Sequence, residues 1–201
     1  MTAALIVIDV QQGFTDSAYW GKRNNPDFEQ NLSLLLDSWT GPVVVVRHDS
    51  VSDGSPLEVG TPGNDLVPSV AAIEPALLVT KDVNSAFYGE PDLRAWLDER
   101  GIRDLVVCGI QTNMCVETTA RMAGNLGYTV TVPIDATHTF DLTGSDGSVL
   151  TADELARATA INLSGGGFAT VVTTAELSRA TAVNLSGGGF ARIATVDEVL
   201  A

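Results

Sequence analysis

Three side chains that could carry out nucleophilic chemistry stand at equivalent places along the sequence. Asp9, Lys81 and Cys115 each lie at or just past the end of a short apolar run. Such runs, alternating with helical patterns, predict strands of a parallel sheet, and the carboxyl ends of those strands form the edge where open α/β sheets bind ligands. There Asp9 can accept the thiol proton, and Lys81 can keep Asp9 ionised. The runs are Ala3–Ile8, Ala76–Thr80 and Leu105–Cys108.

The sequence around Cys115 predicts an activated thiol. Gly109 ends the apolar run, and Thr112 or Asn113 can cap a helix that carries Cys115 in its first turn. Backbone N–H groups and the helix dipole favour thiolate there, which predicts labelling by iodoacetamide near neutral pH. The alternatives are an inert core cysteine and a structural Asp–Lys ion pair beside it.

Composition limits the class of protein. The chain has 201 residues, enough for one domain, with 45% hydrophobic and 18% charged residues. Its apolar runs are too short to cross a bilayer and no basic segment opens it, which predicts a cytoplasmic protein without membrane contact. The net charge of −14 opposes nucleic-acid binding. It favours a cationic substrate, or it reflects a solvated acidic surface.

The cysteines argue against a zinc or disulfide framework. Cys108 and Cys115 are the only two, and the six residues between them match neither a zinc spacing nor a redox pair. Cys108 lies within an apolar run, so we interpret it as a packing residue.

The remaining pattern predicts alternating strands and helices, and therefore an α/β fold with helices on both faces of a parallel sheet. Further strands are predicted at Val43–Val46 and Tyr128–Val132. Helices are predicted at Asp27–Trp39 and at Pro91–Glu99, and the helix that carries Cys115 is predicted to run to about Asn125. A long loop is predicted over residues 49–68, and a polar loop follows Thr137 as far as Asp146.

The C-terminal part contains a tandem repeat. Glu154–Ala169 returns 22 residues later as the nearly identical Glu176–Ala191. Each copy predicts a helix stopped by glycines and then a strand, Thr170–Thr173 or Arg192–Ala194. The second copy adds a helix and an edge strand, competes with the first for one docking site, or is exchanged between subunits. We therefore divide the chain into a domain over 1–175 and a duplicate over 176–201.

Seven motifs in the same order resemble the isochorismatase-like cysteine hydrolase superfamily, which includes nicotinamidases, N-carbamoylsarcosine amidohydrolase and streptothricin hydrolase. The resemblance covers roughly residues 3 to 175. The motifs are LIVIDVQQGF (5–14), RHDS (47–50), GTPG (60–63), KDVNSAF (81–87), LVVCGIQTNMCVETTAR (105–121), GYTV (127–130) and DATHT (135–139).

The resemblance implies a Rossmann-like three-layer fold with a parallel sheet of order 3-2-1-4-5-6 and an Asp9–Lys81–Cys115 triad. It also implies a cis peptide between Ile110 and Gln111. The backbone N–H groups of Gln111 and Cys115 would then form an oxyanion hole.

In such a fold we expect the pocket walls to come from aromatic residues and a methionine, with two polar side chains beside the triad. His48 and His138 are the only histidines, too few for the metal site of nicotinamidases, so we expect neither metal nor cofactor. His48 is expected to orient the site from a strand end, and His138 to lie in a loop at the rim. The predicted walls are Phe14, Trp20, Phe87, Tyr88 and Met114, and the predicted polar contacts are Gln11 and Asn113.

Together these features predict a metal-independent cysteine hydrolase that cleaves a C–N bond of a small molecule through a thioester, similar to streptothricin hydrolase. The alternatives are vinyl ether hydrolysis, as in isochorismatases, which typically lack the nucleophilic cysteine, and a catalytically silent binding protein. The resemblance also implies a homo-oligomer, either a dimer or a tetramer.

Overall fold

A mostly parallel sheet forms the centre of the molecule. The computed structural model describes residues 3–179. The strand order β3-β2-β1-β4-β5-β9 agrees with the predicted order 3-2-1-4-5-6. β9 is the sixth strand along the chain when the two-residue strands β6, β7 and β8 are left out. The strands are β1 (Ala4–Ile8), β2 (Val43–His48), β3 (Leu77–Lys81), β4 (Asp104–Ile110), β5 (Thr129–Pro133), β6 (Thr137–His138), β7 (Leu142–Thr143), β8 (Val149–Leu150) and β9 (Thr170–Val172).

Helices cover both faces of the sheet, as predicted. β1 is buried along its whole length, with alternate side chains entering the two hydrophobic cores: Ile6 packs in the core that contains Ala120, and Leu5 in the core that contains Phe28. This explains the continuous apolar run in the sequence. The helices are α1 (Ser17–Trp20), α2 (Phe28–Ser38), α3 (Pro68–Ala71), α4 (Leu93–Glu99), α5 (Glu117–Asn125) and α6 (Ala152–Gly165).

Two predictions about element boundaries were wrong. The polar loop predicted between Thr137 and Asp146 overlaps the two-residue strand β6, which pairs with β4. It also contains β7, whose hairpin partner β8 follows the predicted loop. Gly109 does not end β4, which continues to Ile110. Gly109 instead permits a close strand contact: it has a φ of 118°, and a Cβ at this position would lie 2.1 Å from the carbonyl oxygen of Ile8.

The first copy of the repeat forms α6 and β9. Thr151 and Glu154 form a capping box that begins α6. Farther along, Thr159 Oγ1 donates to the Glu117 carboxylate at 2.5 Å and Asn162 Nδ2 donates to it at 3.2 Å. This buried carboxylate therefore ties α6 to the helix that follows the cysteine.

The second copy lies mostly outside the described residues. The same capping contacts recur at its start, where Glu176 accepts hydrogen bonds from the backbone N–H and the hydroxyl of Thr173. Beyond residue 179 the predicted helix, the strand at Arg192–Ala194 and the three alternatives for this copy lie outside the described part of the chain. The division at residue 175 stays a prediction.

Among residues 3–179, no helix combines the length and apolar character needed to traverse a bilayer.

The contact at Gly109 leads to a test of the fold. Replacing Gly109 by Ala places a methyl group against the backbone of β1 in a backbone conformation that non-glycine residues rarely adopt, so we expect the free energy of unfolding to fall by roughly 3 kcal/mol or more. Gly165→Ala is the matched control, because a Cβ there meets no atom within 4 Å. Urea denaturation measures both variants, and equal stabilities would contradict the proposed role of Gly109.

Candidate active site

The structure brings Asp9, Lys81 and Cys115 together at the carboxyl edge of the sheet. Asp9 follows β1, Lys81 is the last residue of β3, and Cys115 lies in a π-helical turn, Thr112–Val116, between β4 and α5. Lys81 Nζ lies 2.6 Å from Asp9 Oδ2 and 3.4 Å from Cys115 Sγ. The three groups are therefore within one another's reach.

Asp9 has one occupied and one free carboxylate oxygen. Both the Asp9 and Lys81 side chains are fully buried in their ion pair through Oδ2. Within the described part of the chain, Oδ1 has no hydrogen-bond partner. Burial raises the pKa of Asp9, while the neighbouring Lys81 opposes this rise. The free oxygen is thus an acceptor held in a dry environment beside a fixed cation.

Lys81 directs its ammonium group toward three acceptors, which matches its three N–H donors. The third acceptor is His48 Nδ1, at 3.1 Å. Burial and the nearby Lys81 lower the pKa of His48, so the ring is neutral at pH 7. Accepting at Nδ1 requires the tautomer with its proton on Nε2. His48, which is the last residue of β2, therefore helps to position Lys81.

The same arrangement bears on metal binding. Ligand-capable atoms of Asp9, His48 and Cys115 lie within 4.8 Å of one another. The Lys81 ammonium, however, contacts a side-chain atom of each of these residues. A divalent cation would have to take the place of a buried positive charge that already interacts with all three. These residues therefore fit the ammonium better than they fit a metal ion.

The predicted lowering of the thiol pKa was wrong. Cys115 is only 7% exposed. Its burial, and next the negative charge of Asp9, raise its pKa, against the opposing effect of Lys81. The favourable field expected from the helix N-terminus does not outweigh desolvation. The cysteine therefore rests as a thiol, and its activation requires a base.

The predicted helix cap was also wrong. The N-cap residue of the π-helical turn is Gln111, and its side chain makes no capping hydrogen bond. Thr112 Oγ1 instead donates to Thr137 Oγ1 at 2.8 Å, and Asn113 Oδ1 accepts from the hydroxyl of Thr139. Both side chains therefore join the turn to β6 and the residue after it. Asn113 is half-buried in this contact.

The peptide bond between Ile110 and Gln111 is cis. It lies between the end of β4 and the turn that carries Cys115. The role of the Gln111 and Cys115 N–H groups as an oxyanion hole stays a prediction.

Gln11 holds the backbone next to the site through hydrogen bonds. Its amide nitrogen donates to the carbonyl oxygens of His48 at 2.9 Å and Asn64 at 2.8 Å, and its oxygen accepts from the His48 N–H at 2.8 Å. The side chain is fully buried. Its hydrogen-bonding capacity is therefore spent on the backbone around His48, which makes it a positioning residue instead of the predicted substrate contact.

The predicted wall residues divide into buried and open positions. Phe87 is 9% exposed and stacks on Tyr128 with ring centroids 5.8 Å apart, so it belongs to the core. Phe14 is 5% exposed and packs against Trp20 at 4.9 Å. Tyr88 is 70% exposed. Met114, next to the nucleophile in sequence, is half-buried.

His138 does not lie in a loop at the rim, as predicted. It is part of β6, is 1% exposed, and packs edge-on against Phe28 and Phe140. Burial lowers the pKa of His138 to about 3, so it is neutral. It lines a cavity of about 270 Å³ beside Phe14 and Phe28 that no triad residue touches.

Asn84 is the site residue that the sequence reasoning missed. The Cys115 thiol donates to Asn84 Oδ1, with 3.7 Å between the sulfur and the oxygen. Asn84 is an exposed residue, whereas Cys115 is buried. A signal was present, because Asn84 follows Lys81 by three residues in the KDVNSAF motif.

Comparisons with known proteins decide the family. The isochorismatase domain model matches residues 3–176. The chain belongs to the isochorismatase family. The uncharacterized isochorismatase family protein YrdC of Bacillus subtilis (strain 168) is 36% identical over 142 residues, or 69% of this chain and 75% of that protein. Streptothricin hydrolase of Streptomyces noursei is 34% identical over 142 residues, or 69% of this chain and 50% of that protein.

Solved structures of the isochorismatase family support the same family assignment. A hydrolase of this family from Chromobacterium violaceum superposes with a TM-score of 0.83 at 36% identity, over 90% of this chain and 94% of that one. A cysteine hydrolase from Pseudomonas syringae pv. phaseolicola superposes with a TM-score of 0.77 at 27% identity, over 88% of this chain and 91% of that one. The protein is thus a hydrolase of the isochorismatase-like cysteine hydrolase superfamily.

The raised thiol pKa predicts slow alkylation in the free enzyme. In a Cys108→Ala background, which leaves Cys115 as the only thiol, we expect iodoacetamide to react at pH 7 more than about tenfold slower than with free cysteine, and the rate to keep rising at alkaline pH. Asp9→Asn, which removes one cause of the raised pKa, should move the curve to lower pH. A rate that levels off near neutral pH would contradict this assignment.

Proposed function

We propose that the protein is a metal-independent cysteine amidohydrolase that cleaves a C–N bond of a small molecule through a thioester. The observation that carries this proposal is the free Oδ1 of Asp9, a buried acceptor whose partner oxygen is held by Lys81. A carboxylate so placed beside a protonated thiol is suited to general base catalysis.

In the first half of the reaction, Asp9 takes the proton of Cys115 and the sulfur attacks the carbonyl carbon of an amide. An S–C bond forms and the C=O double bond opens to an oxyanion, which the backbone N–H groups of Gln111 and Cys115 stabilise. Collapse of the oxyanion breaks the C–N bond. Asp9 returns its proton to the departing nitrogen, which leaves as ammonia or an amine, and an acyl thioester remains on Cys115.

In the second half, water replaces the amine. Asp9, again ionised, takes a proton from the water, and the hydroxide attacks the thioester carbonyl. The C–S bond breaks, the sulfur regains a proton from Asp9, and a carboxylic acid is released. The overall reaction consumes one amide and one water. One carboxylate thus serves alternately as base and acid, which its environment supports because burial and Lys81 act on its pKa in opposite directions.

Lys81 supplies the positive charge that a metal ion provides in other hydrolases. Its ammonium lies 3.4 Å from the sulfur, where it can stabilise thiolate as the proton leaves. Because it also contacts Asp9 and His48, it keeps the negative charge of the site balanced throughout both halves.

For the substrate, we propose a small and preferably cationic amide or lactam. The similarity to streptothricin hydrolase and the net charge of −14 both support this class. The exposed Tyr88 and the half-buried Met114 are the proposed contacts at the open side of the site.

The catalytic roles can be tested directly. With an amide found by screening a panel for ammonia or amine release, Cys115→Ala should abolish turnover, and Asp9→Asn should lower kcat at least about 1,000-fold because the base is lost. Cys108→Ala is the matched control, since its buried sulfur lies outside the site and should leave the rate unchanged. Mass spectrometry should detect the acyl thioester on Cys115.

Turnover that survives Cys115→Ala would contradict the thioester mechanism and favour vinyl ether hydrolysis. A lack of any turnover across the amide and vinyl ether panels would favour a silent binding protein.

The role of Lys81 predicts independence from metals. Exhaustive treatment with EDTA or 1,10-phenanthroline should leave kcat and KM unchanged, and added Zn²⁺ should not activate the enzyme. Lys81→Met, which keeps the length of the side chain but removes its charge, should lower kcat at least about 100-fold because thiolate loses its stabilising partner. Loss of activity on chelation, restored by a metal ion, would overturn this assignment.

A further inference from the structure

Asn84 occupies a defined position on the open side of the nucleophile. It belongs to the short segment between β3 and the 3-10 turn Ala86–Tyr88. The residues after it are anchored: Ser85 is buried and its hydroxyl accepts from the Phe87 N–H at 3.3 Å, and the Ala86 N–H donates to Thr119 Oγ1 at 3.1 Å. The Asn84 side chain is therefore presented to Cys115 by a fixed backbone.

The contacts around the sulfur identify the donors and acceptors available to it in the free enzyme. Lys81 donates to Cys115 Sγ, and the sulfur donates its single proton to Asn84 Oδ1 at 3.7 Å. Asp9 Oδ1, the base of the proposed mechanism, has no partner among the described residues. The resting thiol therefore has two acceptors within reach, Asn84 Oδ1 and the Asp9 carboxylate, and its interaction with Asp9 also raises the pKa of the thiol.

A hydrogen bond from the thiol to a neutral amide stabilises the protonated form, and therefore opposes formation of thiolate. The Asn84 amide nitrogen forms no hydrogen bond within residues 3–179, so both of its N–H groups are available to a ligand. An exposed amide with free donors and a weakly engaged acceptor, in contact with the reactive atom, is equipped to bind a polar group of the substrate.

We propose that Asn84 recognises the N–H of an amide substrate and, by doing so, releases the thiol proton to Asp9. The substrate N–H donates to Asn84 Oδ1 and displaces the weaker S–H donor. The S–H group then turns to Asp9 Oδ1, which takes the proton as the sulfur attacks. One hydrogen bond to Asn84 breaks and another forms, so activation of the nucleophile follows binding of the correct substrate.

This proposal deepens the proposed function and depends on it, and it narrows the substrate class. Primary and secondary amides carry an N–H at the scissile nitrogen, whereas N,N-disubstituted amides and esters carry none. A site that hydrogen-bonds a substrate group discriminates against analogues that lack it. We therefore expect primary and secondary amides to be preferred over the N,N-dimethyl amide of the same acyl group.

Two readouts test this role in Asn84→Ala, compared with Val83→Ala as the control. Val83 is an exposed neighbour of Asn84 with 44% exposure. The first readout is the ratio of kcat/KM for the primary amide to that for the N,N-dimethyl amide. We expect this ratio to fall about tenfold in Asn84→Ala, which corresponds to the loss of one hydrogen bond, and to be unchanged in Val83→Ala.

The second readout needs no turnover. In a Cys108→Ala background, infrared spectroscopy of the S–H stretching band reports the acceptor of the Cys115 proton. We expect the band to shift in Asn84→Ala, and alkylation at fixed pH to become at least about threefold faster because the neutral thiol loses a stabilising contact.

The outcomes separate the two proposals. An unchanged S–H band and alkylation rate in Asn84→Ala would overturn the contact to the thiol, whatever the enzyme hydrolyses. A shifted band with an unchanged amide ratio would overturn the role in substrate recognition. If the wild-type enzyme hydrolyses no amide while the band still shifts, the proposed function fails and the thiol contact stands.

Discussion

The buried ion pair between Asp9 and Lys81 is the interaction on which the site depends. Asp9 directly follows β1 and Lys81 ends β3, and β2 lies between these two strands, so the two Cα atoms are roughly 10 Å apart at the spacing of neighbouring strands. Lys81 crosses this gap and passes His48 at 3.1 Å on its way to Asp9. An uncompensated carboxylate in this position would be too costly to keep ionised, because its side chain is completely buried. The long lysine side chain is what allows a charged base to exist inside the fold.

The register of the three strands makes this pair possible. β2 pairs with both neighbours, with His48 opposite Lys81, and the Asp9 N–H donates to the Val46 carbonyl at 2.9 Å. Gln11 then fixes the end of β2 through both backbone groups of His48. A slip of one residue would reverse the faces of every side chain in a strand and separate the charges. The core of the sheet and the chemistry at its edge are therefore specified by the same register.

The sequence predicted the long elements and the meeting of the three reactive groups, because strands buried on both faces appear as continuous apolar runs. It did not predict β6–β8, since strands of two residues are too short to show a periodicity. Residue type alone also could not show that Gln11 supports the backbone or that Phe87 belongs to the core. The pKa of Cys115 was misjudged because its local signal, the helix N-terminus, is opposed by burial and by Asp9, which come from distant parts of the chain.

The tandem repeat shows a different limit of sequence reasoning. The first copy is held by side chains that meet Glu117 and the core, and their counterparts recur unchanged in the second copy. Contact energy alone therefore cannot select between the copies. Chain connectivity can, because docking the second copy in this place would turn the first into a loop of 22 residues, whose closure costs about 3 kcal/mol. The first copy, directly joined to the hairpin β7–β8, forms the same contacts without that cost. The recurring pairs are Thr159 and Thr181, Asn162 and Asn184, and Leu163 and Leu185.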